Sequence, residues 1–136
     1  MFDLSAEPLE NHPHYQGKQL DNAGACVIFE GWVRQVNHDR QVKHLEYEGA
    51  DELAENEFKK IAGEVFNKFS ILDVSCIHRV GRLEVGERAV WVSVQAEHRG
   101  AAFEACRYVI DELKRRLPVW KKEHYTDGDS GWINTP

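Results

Sequence analysis

The chain has few cysteines and none of the paired spacings that cysteine chemistry uses. Its 136 residues include only three, Cys26, Cys76 and Cys106, and no CxxC pair that would indicate a metal or a redox disulfide. Each cysteine lies among apolar neighbours. We therefore interpret all three as buried thiols that pack as small hydrophobic side chains.

Long apolar runs are also missing, which argues against a membrane protein. The hydrophobic runs span a few residues, whereas a transmembrane helix needs roughly 20. The first residues, Met1 to Glu7, lack the basic start and apolar centre of a signal peptide. We therefore expect a cytoplasmic protein. The composition, 42% apolar and 29% charged, is typical of one globular domain with one core.

Common catalytic signatures are absent as well. No Gly-rich phosphate loop, HExxH, GxSxG or Ser/His/Asp spacing occurs, so neither a metal nor another cofactor is expected. A net charge of −6 and the lack of a glycine–aromatic segment argue against a nucleic-acid partner. A His12-x-His14 pair has no further ligand nearby, so solvated histidines are favoured over a metal site.

Apolar periodicity predicts one α+β domain over residues 1–136, in the order β-β-α-β-β-α-β. Residues 1–24 contain proline and glycine and are predicted to be an irregular arm. Strand pairs separated by helices predict a largely antiparallel sheet with two helices on one face. The predicted elements are strands 25–34 and 42–48, a helix from Asp51, strands 74–80 and 90–94, a helix over 100–117 and a strand over 119–125. Connections are predicted at 35–41 and 81–87, and a turn at 127–128 precedes a short tail with Trp132.

Both predicted helices have one apolar face. In the first it comprises Ala54, Phe58, Ile61, Ala62, Val65 and Phe69. In the second it comprises Phe103, Cys106, Ile110, Leu113 and Leu117. At about 100° per residue, Lys114 and Arg107 fall at the edge of that second face. In the strand before, His78 shares the face of Val74 and Val80, which predicts a half-buried core histidine.

Positive charge is concentrated at both ends of the second helix. His98 and Arg99 precede it, where free backbone N–H groups favour an anion. Lys114 is near its end, and Lys121 and Lys122 begin the next strand, where one lysine should face inward. Each cation alone also fits an ordinary surface role, such as a lysine whose stem covers the core or a charged strand edge.

Taken together with Arg34, at the end of the first strand, these residues form a set of cations without a nucleophile. Such a set suits binding of an anionic small molecule and stabilisation of negative charge as it develops. A non-enzymatic anion-binding or adaptor domain is the alternative. It would keep Arg34 and the His98-Arg99 pair but would not need Lys114 and Lys121 together.

At these positions the chain resembles the catalytic (large) subunit of molybdopterin synthase. The similar segments, in order across about residues 23–132, are Phe29–Arg34, Ile77–Leu83, Glu97–Ala105, Leu113-Lys114 and Pro118–Glu123. The resemblance implies an α/β-hammerhead-like fold and a sulfurtransferase of molybdenum cofactor biosynthesis. Such an enzyme adds two sulfurs to a cyclic pyranopterin monophosphate to form molybdopterin. It also implies that sulfur arrives as the C-terminal thiocarboxylate of a small ubiquitin-like subunit ending in Gly-Gly, so no cysteine is needed.

The resemblance also implies roles for individual residues. Lys114 and Lys121 would be catalytic. The substrate would be bound by these lysines together with Trp32, Val33, Arg34, His98, Arg99, Lys122 and Glu123. Trp32 stands where this motif has a smaller or basic residue, so we expect backbone contacts rather than a side-chain role there.

The length of the second helix predicts a site shared between subunits. Arg99 and Lys114 are fifteen residues apart, or about 22 Å at 1.5 Å per residue. Both side chains of one chain would reach the same small ligand only in strained conformations. We therefore expect a homodimer in which His98 and Arg99 come from the neighbouring subunit. The resemblance independently implies a heterotetramer, with two large subunits at the centre and a small subunit at each end.

Overall fold

The structure is a computed structural model that describes residues 1–134. Its helices are α1 (Asp51–Lys68), α2 (Arg99–Arg116) and a short 3-10 helix at Leu9–Asn11. Its strands are β1 (Phe2–Ser5), β2 (Ala25–Trp32), β3 (Val36–Asn37), β4 (Arg40–Gly49), β5 (Asp73–Arg79), β6 (Gly81–Glu84), β7 (Arg88–Ala96), β8 (Val119–Tyr125) and β9 (Gly128–Ile133). Within the described residues, no helix combines the length and the apolar character that crossing a bilayer requires.

The first sheet has the order β1-β5-β7-β2, with β1 parallel to β5 and the other neighbours antiparallel. β5 and β7 are buried along nearly their whole length, because both faces of this sheet are covered. On one face α2 packs against β2 and β7. On the other, Ile77 and Trp91 pack against Leu9 of the N-terminal segment.

The second sheet has the order β3-β4-β8-β9, and β6 also pairs with β4. A two-residue turn joins β3 to β4 through His38 and Asp39, whose φ angles of 50° and 60° suit a tight hairpin. Side chains of β4 and β8 alternate between a buried face towards the first sheet and an outer face.

The predicted order is confirmed as β2, β4, α1, β5, β7, α2 and β8, and so is the mostly antiparallel α+β class. The predicted connections at 35–41 and 81–87 are wrong, because they contain β3 and β6, and the predicted tail contains most of β9. β3 and β6 have two and four residues, too few for an alternating pattern to show. Without these strands, the division into two sheets was also missed.

The predicted apolar face is confirmed for α1 but wrong at one position of α2. In α1, Ala54, Phe58, Ile61 and Val65 are buried. In α2, Phe103 is 61% exposed, and the small residues Ala102 and Ala105 are fully buried instead. The buried face of α2 is therefore rotated by one position at its N-terminal end. The rest of the predicted face is buried as predicted: Cys106, Ile110, Leu113 and the following Leu117.

The N-terminal segment is not the irregular arm that its composition predicts. β1 pairs with β5, and Leu9 is fully buried beside Ile77 and Trp91. His12 is also held in place, with its Nε2 2.8 Å from Asp3 Oδ2.

The prediction of three buried cysteines is wrong for Cys26. Cys76 and Cys106 are buried, but Cys26 is exposed. It lies on β2, the edge strand of the first sheet, where Cys26 and Ile28 alternate with the less exposed Ala25 and Val27. The strand's two-residue period therefore places the Cys26 thiol on the outer face.

Replacement of Leu9 by alanine tests whether the N-terminal segment belongs to the core. We expect Leu9→Ala to lower the free energy of unfolding by about 2–5 kcal/mol, because it leaves a cavity against Ile77 and Trp91. Urea denaturation followed by circular dichroism measures the change. The control is Leu53→Ala on the exposed face of α1, expected to change the free energy by less than about 0.5 kcal/mol. Equal effects of the two substitutions would contradict the packing described.

Candidate active site

A cavity of about 400 Å³ opens between the two sheets, beside the C-terminal end of α2. Much of its wall is apolar and includes Phe29, Val42, Leu45, Val90, Ile110 and Leu113. Its polar lining residues are Arg34, Asn37, His38, Tyr47, His78, Lys114, Lys121 and Glu123. An apolar cavity with a few converging polar groups is the usual form of a small-molecule site.

Three of the sequence-predicted cations meet at this cavity, each supplied by a different element. Arg34 follows β2, just after a register shift between Gly31 and Trp32 where the pairing with β7 ends. Lys114 lies in the last turn of α2, next to the buried Leu113. Lys121 lies on the inward face of β8. The fold therefore brings Arg34, Lys114 and Lys121 together from positions far apart in the sequence.

The pKa of the Lys114 ammonium lies below its ordinary value. The main cause is burial of part of the side chain against the cavity wall, and the positive charges of Lys121 and Arg34 lower the pKa further. Asp111, one turn earlier on α2, acts in the opposite direction. A lysine in this state gives up its proton more readily than a lysine in open solvent.

A buried carboxylate connects the cations. Glu123 is 3% exposed, and its Oε1 lies 3.2 Å from Lys121 Nζ. Its Oε2 accepts hydrogen bonds from the Tyr125 hydroxyl and, at 2.7 Å, from Asn37 Nδ2. Asn37 Oδ1 in turn accepts a hydrogen bond of 2.8 Å from Arg34 Nη2. One polar network therefore runs from Arg34 through Asn37 and Glu123 to Lys121.

The network keeps Glu123 ionised. Burial alone would raise the pKa of this carboxyl, but the hydrogen bonds from Tyr125 and Asn37 and the charge of Lys121 outweigh burial and lower it. Because the carboxylate is charged and fixed from three sides, it fixes the position of the Lys121 ammonium.

His78 is a site residue that the sequence analysis assigned to the core. It is only 2% exposed, yet it lines the cavity. Its Nδ1 donates a 2.7 Å hydrogen bond to the carbonyl of Arg79, which leaves the lone pair on Nε2. Burial lowers the His78 pKa to about 4, and the nearby Lys114 contributes. The imidazole is therefore neutral at neutral pH.

Asn37 and His38 were also missed. Both lie in the segment predicted as a polar loop, and the tight turn after Asn37 brings them to the cavity. The only sequence signal for these two residues was their position shortly after Arg34.

Trp32, Val33 and Lys122 were predicted as substrate-binding residues. Trp32 and Val33 line the cavity, and Trp32 is 59% exposed, with the Arg88 guanidinium 5.1 Å from its ring centre. Lys122 lies on the outer face of β8, where its ammonium is 5.9 Å from the ring centre of Trp132. It is therefore directed away from the cavity.

His98 and Arg99 lie at the opposite end of α2 from Lys114. His98 is the N-cap residue and Arg99 the first residue of the helix, and both are exposed. Neither lines the cavity of its own chain.

Comparison with known proteins identifies relatives that cover most of the chain. Residues 4–116 match the family model described as MoaE protein. A molybdopterin synthase catalytic subunit of Pyrococcus abyssi is 47% identical over 112 residues, 82% of this chain and 75% of the relative. The protein of that name in Synechococcus elongatus is 46% identical over 133 residues, 97% of this chain and 81% of the relative.

Solved structures have the same fold. The X-ray structure of molybdopterin synthase from Staphylococcus aureus superimposes with a TM-score of 0.88 at 32% identity, over 97% of this chain and 96% of that one. A chain from the complex of subunits 1 and 2 of molybdopterin-converting factor from Helicobacter pylori has a TM-score of 0.66, over 79% of this chain and 70% of that one. At 20% identity, that second similarity concerns the fold alone. Together, the family model and the relatives show that the chain belongs to the MoaE protein family.

Proposed function

We propose that this chain is the catalytic subunit of a cytoplasmic molybdopterin synthase. It converts a cyclic pyranopterin monophosphate to molybdopterin by adding two sulfurs. The observation that carries this proposal is the convergence of Arg34, Lys114 and Lys121 on one cavity in a chain of net charge −6. Its volume of about 400 Å³ suits a small-molecule ligand.

Within its own chain, Arg34 binds the anionic substrate. A guanidinium carries five N–H donors in a fixed plane, and one nitrogen of Arg34 is held by Asn37. The remaining donors suit the phosphate or the pterin oxygens of the substrate. The hydrogen bond to Asn37 orients the guanidinium before the substrate binds, which reduces the side-chain entropy lost on binding.

The two lysines have different roles because their surroundings differ. Lys121 is fixed by the Glu123 carboxylate, so it stabilises negative charge on oxygen as sulfur is transferred. Lys114 has a lowered pKa, so it donates and accepts protons near the thiocarboxylate and the reacting carbons.

The sulfur donor is a second protein. We infer that a small ubiquitin-like subunit presents the thiocarboxylate on its C-terminal Gly-Gly, so that none of the three cysteines takes part. The Helicobacter pylori structure, which contains two different subunits, supports such a partner. With a homodimer of this chain at the centre, the assembly is a heterotetramer.

Each active site is shared across that homodimer. His98 and Arg99 are at the far end of α2 from Lys114 and do not line their own chain's cavity. We infer a two-fold axis between the subunits that brings them to the neighbouring cavity. There they add two positively charged or polar groups for the phosphate.

Replacement of Lys114 by alanine tests the catalytic role. We expect Lys114→Ala to lower the rate of dithiolene formation at least about a hundredfold, because proton transfer is lost. The assay combines the variant with the thiocarboxylated carrier and the cyclic pterin. The control is Lys59→Ala on α1, a lysine with a 69% exposed side chain whose loss leaves the rate unchanged.

Near-normal product formation by Lys114→Ala would refute the catalytic role. Carrier binding and circular dichroism should be unaffected in both variants. If the unmodified protein binds the pterin but forms no product with a competent carrier, the non-enzymatic anion-binding hypothesis is the correct one.

The influence of Lys121 on Lys114 is testable without turnover. Lys121→Met removes a positive charge that lowers the Lys114 pKa, so we expect that pKa to rise towards its ordinary value. Burial, the larger cause, remains and keeps the rise partial. Acylation of the Lys114 amine as a function of pH, followed by mass spectrometry, measures the change, with Lys59 as the internal reference. An unchanged or lower Lys114 pKa would show that the two ammonium groups do not interact.

Mixed dimers test the shared site. One subunit carries Lys114→Ala and the other Arg99→Ala, and differently tagged copies are co-expressed and purified as the mixed pair. One cavity then lacks both residues and the other is intact, so about half the normal activity is expected. Each variant alone should be inactive. A mixed pair as inactive as its parents would show that Arg99 acts in its own chain's site.

A further inference from the structure

Three side chains of metal-ligating type lie on the outer face of the second sheet, away from the cavity. His44 and Glu46 are on β4, and His124 is on β8. Strand alternation places His44 and Glu46 on one face. The register of β4 and β8 sets His124 directly opposite His44. The backbone pairing therefore fixes this group of three.

The distances within the group are close to those of a metal site. The two imidazole rings are stacked, with their centres 4.2 Å apart. Glu46 Oε1 lies 2.7 Å from His124 Nε2 and 3.9 Å from His44 Nε2. One ligand atom from each residue lies within 4.8 Å of the other two. Tetrahedral zinc with bonds of about 2.0–2.1 Å holds its ligand atoms about 3.3 Å apart, so these distances are in the right range. The stacked rings must tilt towards each other for both nitrogens to face one ion.

His124 Nε2 is buried and has no hydrogen-bond partner among residues 1–134. Glu46 Oε1 is near it, but the two atoms are not aligned for a hydrogen bond. The nitrogen therefore lies at ion-pair distance from a carboxylate but makes no aligned hydrogen bond, and such unmet bonding at a buried polar atom requires an explanation. An ion held between the three residues would be the missing partner of this nitrogen.

We propose that His44, Glu46 and His124 bind one divalent transition-metal ion of the Zn²⁺ type. Two imidazole nitrogens and a carboxylate oxygen are a ligand set that such ions favour. Charged residues of both signs lie in register beside the group. Glu84 is opposite His44 and Asp129 is opposite His124, while Arg82 and Lys122 are both opposite Glu46.

The ion has a structural role. It joins β4 to β8, and β8 carries Lys121 and Glu123 on its other face. Because the ion is on the opposite side of the sheet from the cavity, it does not contact the pterin. Its effect is to stabilise the strand that holds the lysine and the carboxylate.

Metal titration of the tag-free, metal-stripped protein tests the proposal. Zn²⁺ binding is followed by calorimetry, and Co²⁺ binding by its visible absorption spectrum. We expect one ion per chain, with nitrogen ligation in the Co²⁺ spectrum. Zn²⁺ at a hundred times its Kd should raise the thermal midpoint by about 5–10 °C. His44→Ala and His124→Ala should each weaken Zn²⁺ binding at least tenfold, and His124→Gln should do the same without a change of fold.

The matched control is the other close histidine pair, His12 and His14, whose ring centres are 5.5 Å apart. The variant His12→Ala/His14→Ala should bind Zn²⁺ as tightly as the unmodified protein. The proposal is overturned if the unmodified protein binds Zn²⁺ no more tightly than His124→Gln. It is equally overturned if the loss of affinity follows His12 and His14.

Discussion

The buried carboxylate of Glu123 is the constraint on which the site depends. A charge removed from water is tolerated only when it is paired and hydrogen-bonded. Glu123 meets this requirement through Lys121, Tyr125 and Asn37. Asn37 belongs to β3, which has only two residues, so the short hairpin before β4 is needed to complete the site. Arg34 is then fixed through the same asparagine.

This arrangement gives different surroundings to two lysines that line the same cavity. Lys121 has a carboxylate partner, whereas Lys114 has the cavity wall and two neighbouring cations around it. Identical side chains therefore have different electrostatic surroundings, which is the basis for proposing Lys121 as the charge stabiliser and Lys114 as the proton carrier. The neutral, buried His78 adds a polar group to the wall without adding charge.

Sequence analysis predicted the elements that are long enough for their buried residues to recur in a visible pattern. α1 and strands β2, β4, β5, β7 and β8 are long enough for their apolar alternation to be visible. Phe103 was misplaced because a phenylalanine and the adjacent Ala102 fit the same helical period, and only contact with the sheet shows which of them faces it. β1 was missed because its partner β5 is more than seventy residues away, and local patterns carry no information about such pairing.

Similar reasons apply to the site. Arg34, Lys114 and Lys121 were found because their segments resemble a known family and because cations without a nucleophile are unusual together. Asn37 and His78 were not found, since one lay in a predicted loop and the other in an apolar strand. Their roles depend on which backbone segments meet at the cavity, and that is a property of the tertiary structure.

The alternation along β8 has a consequence for how this protein can change during evolution. Adjacent residues Glu123 and His124 serve opposite faces of the sheet, so inserting or deleting one residue before them would exchange the two faces. A carboxylate would then face solvent and an imidazole would enter the cavity. A one-residue change in the length of β8 therefore disturbs both faces of the sheet at once, whereas replacement of one side chain disturbs only the face that carries it.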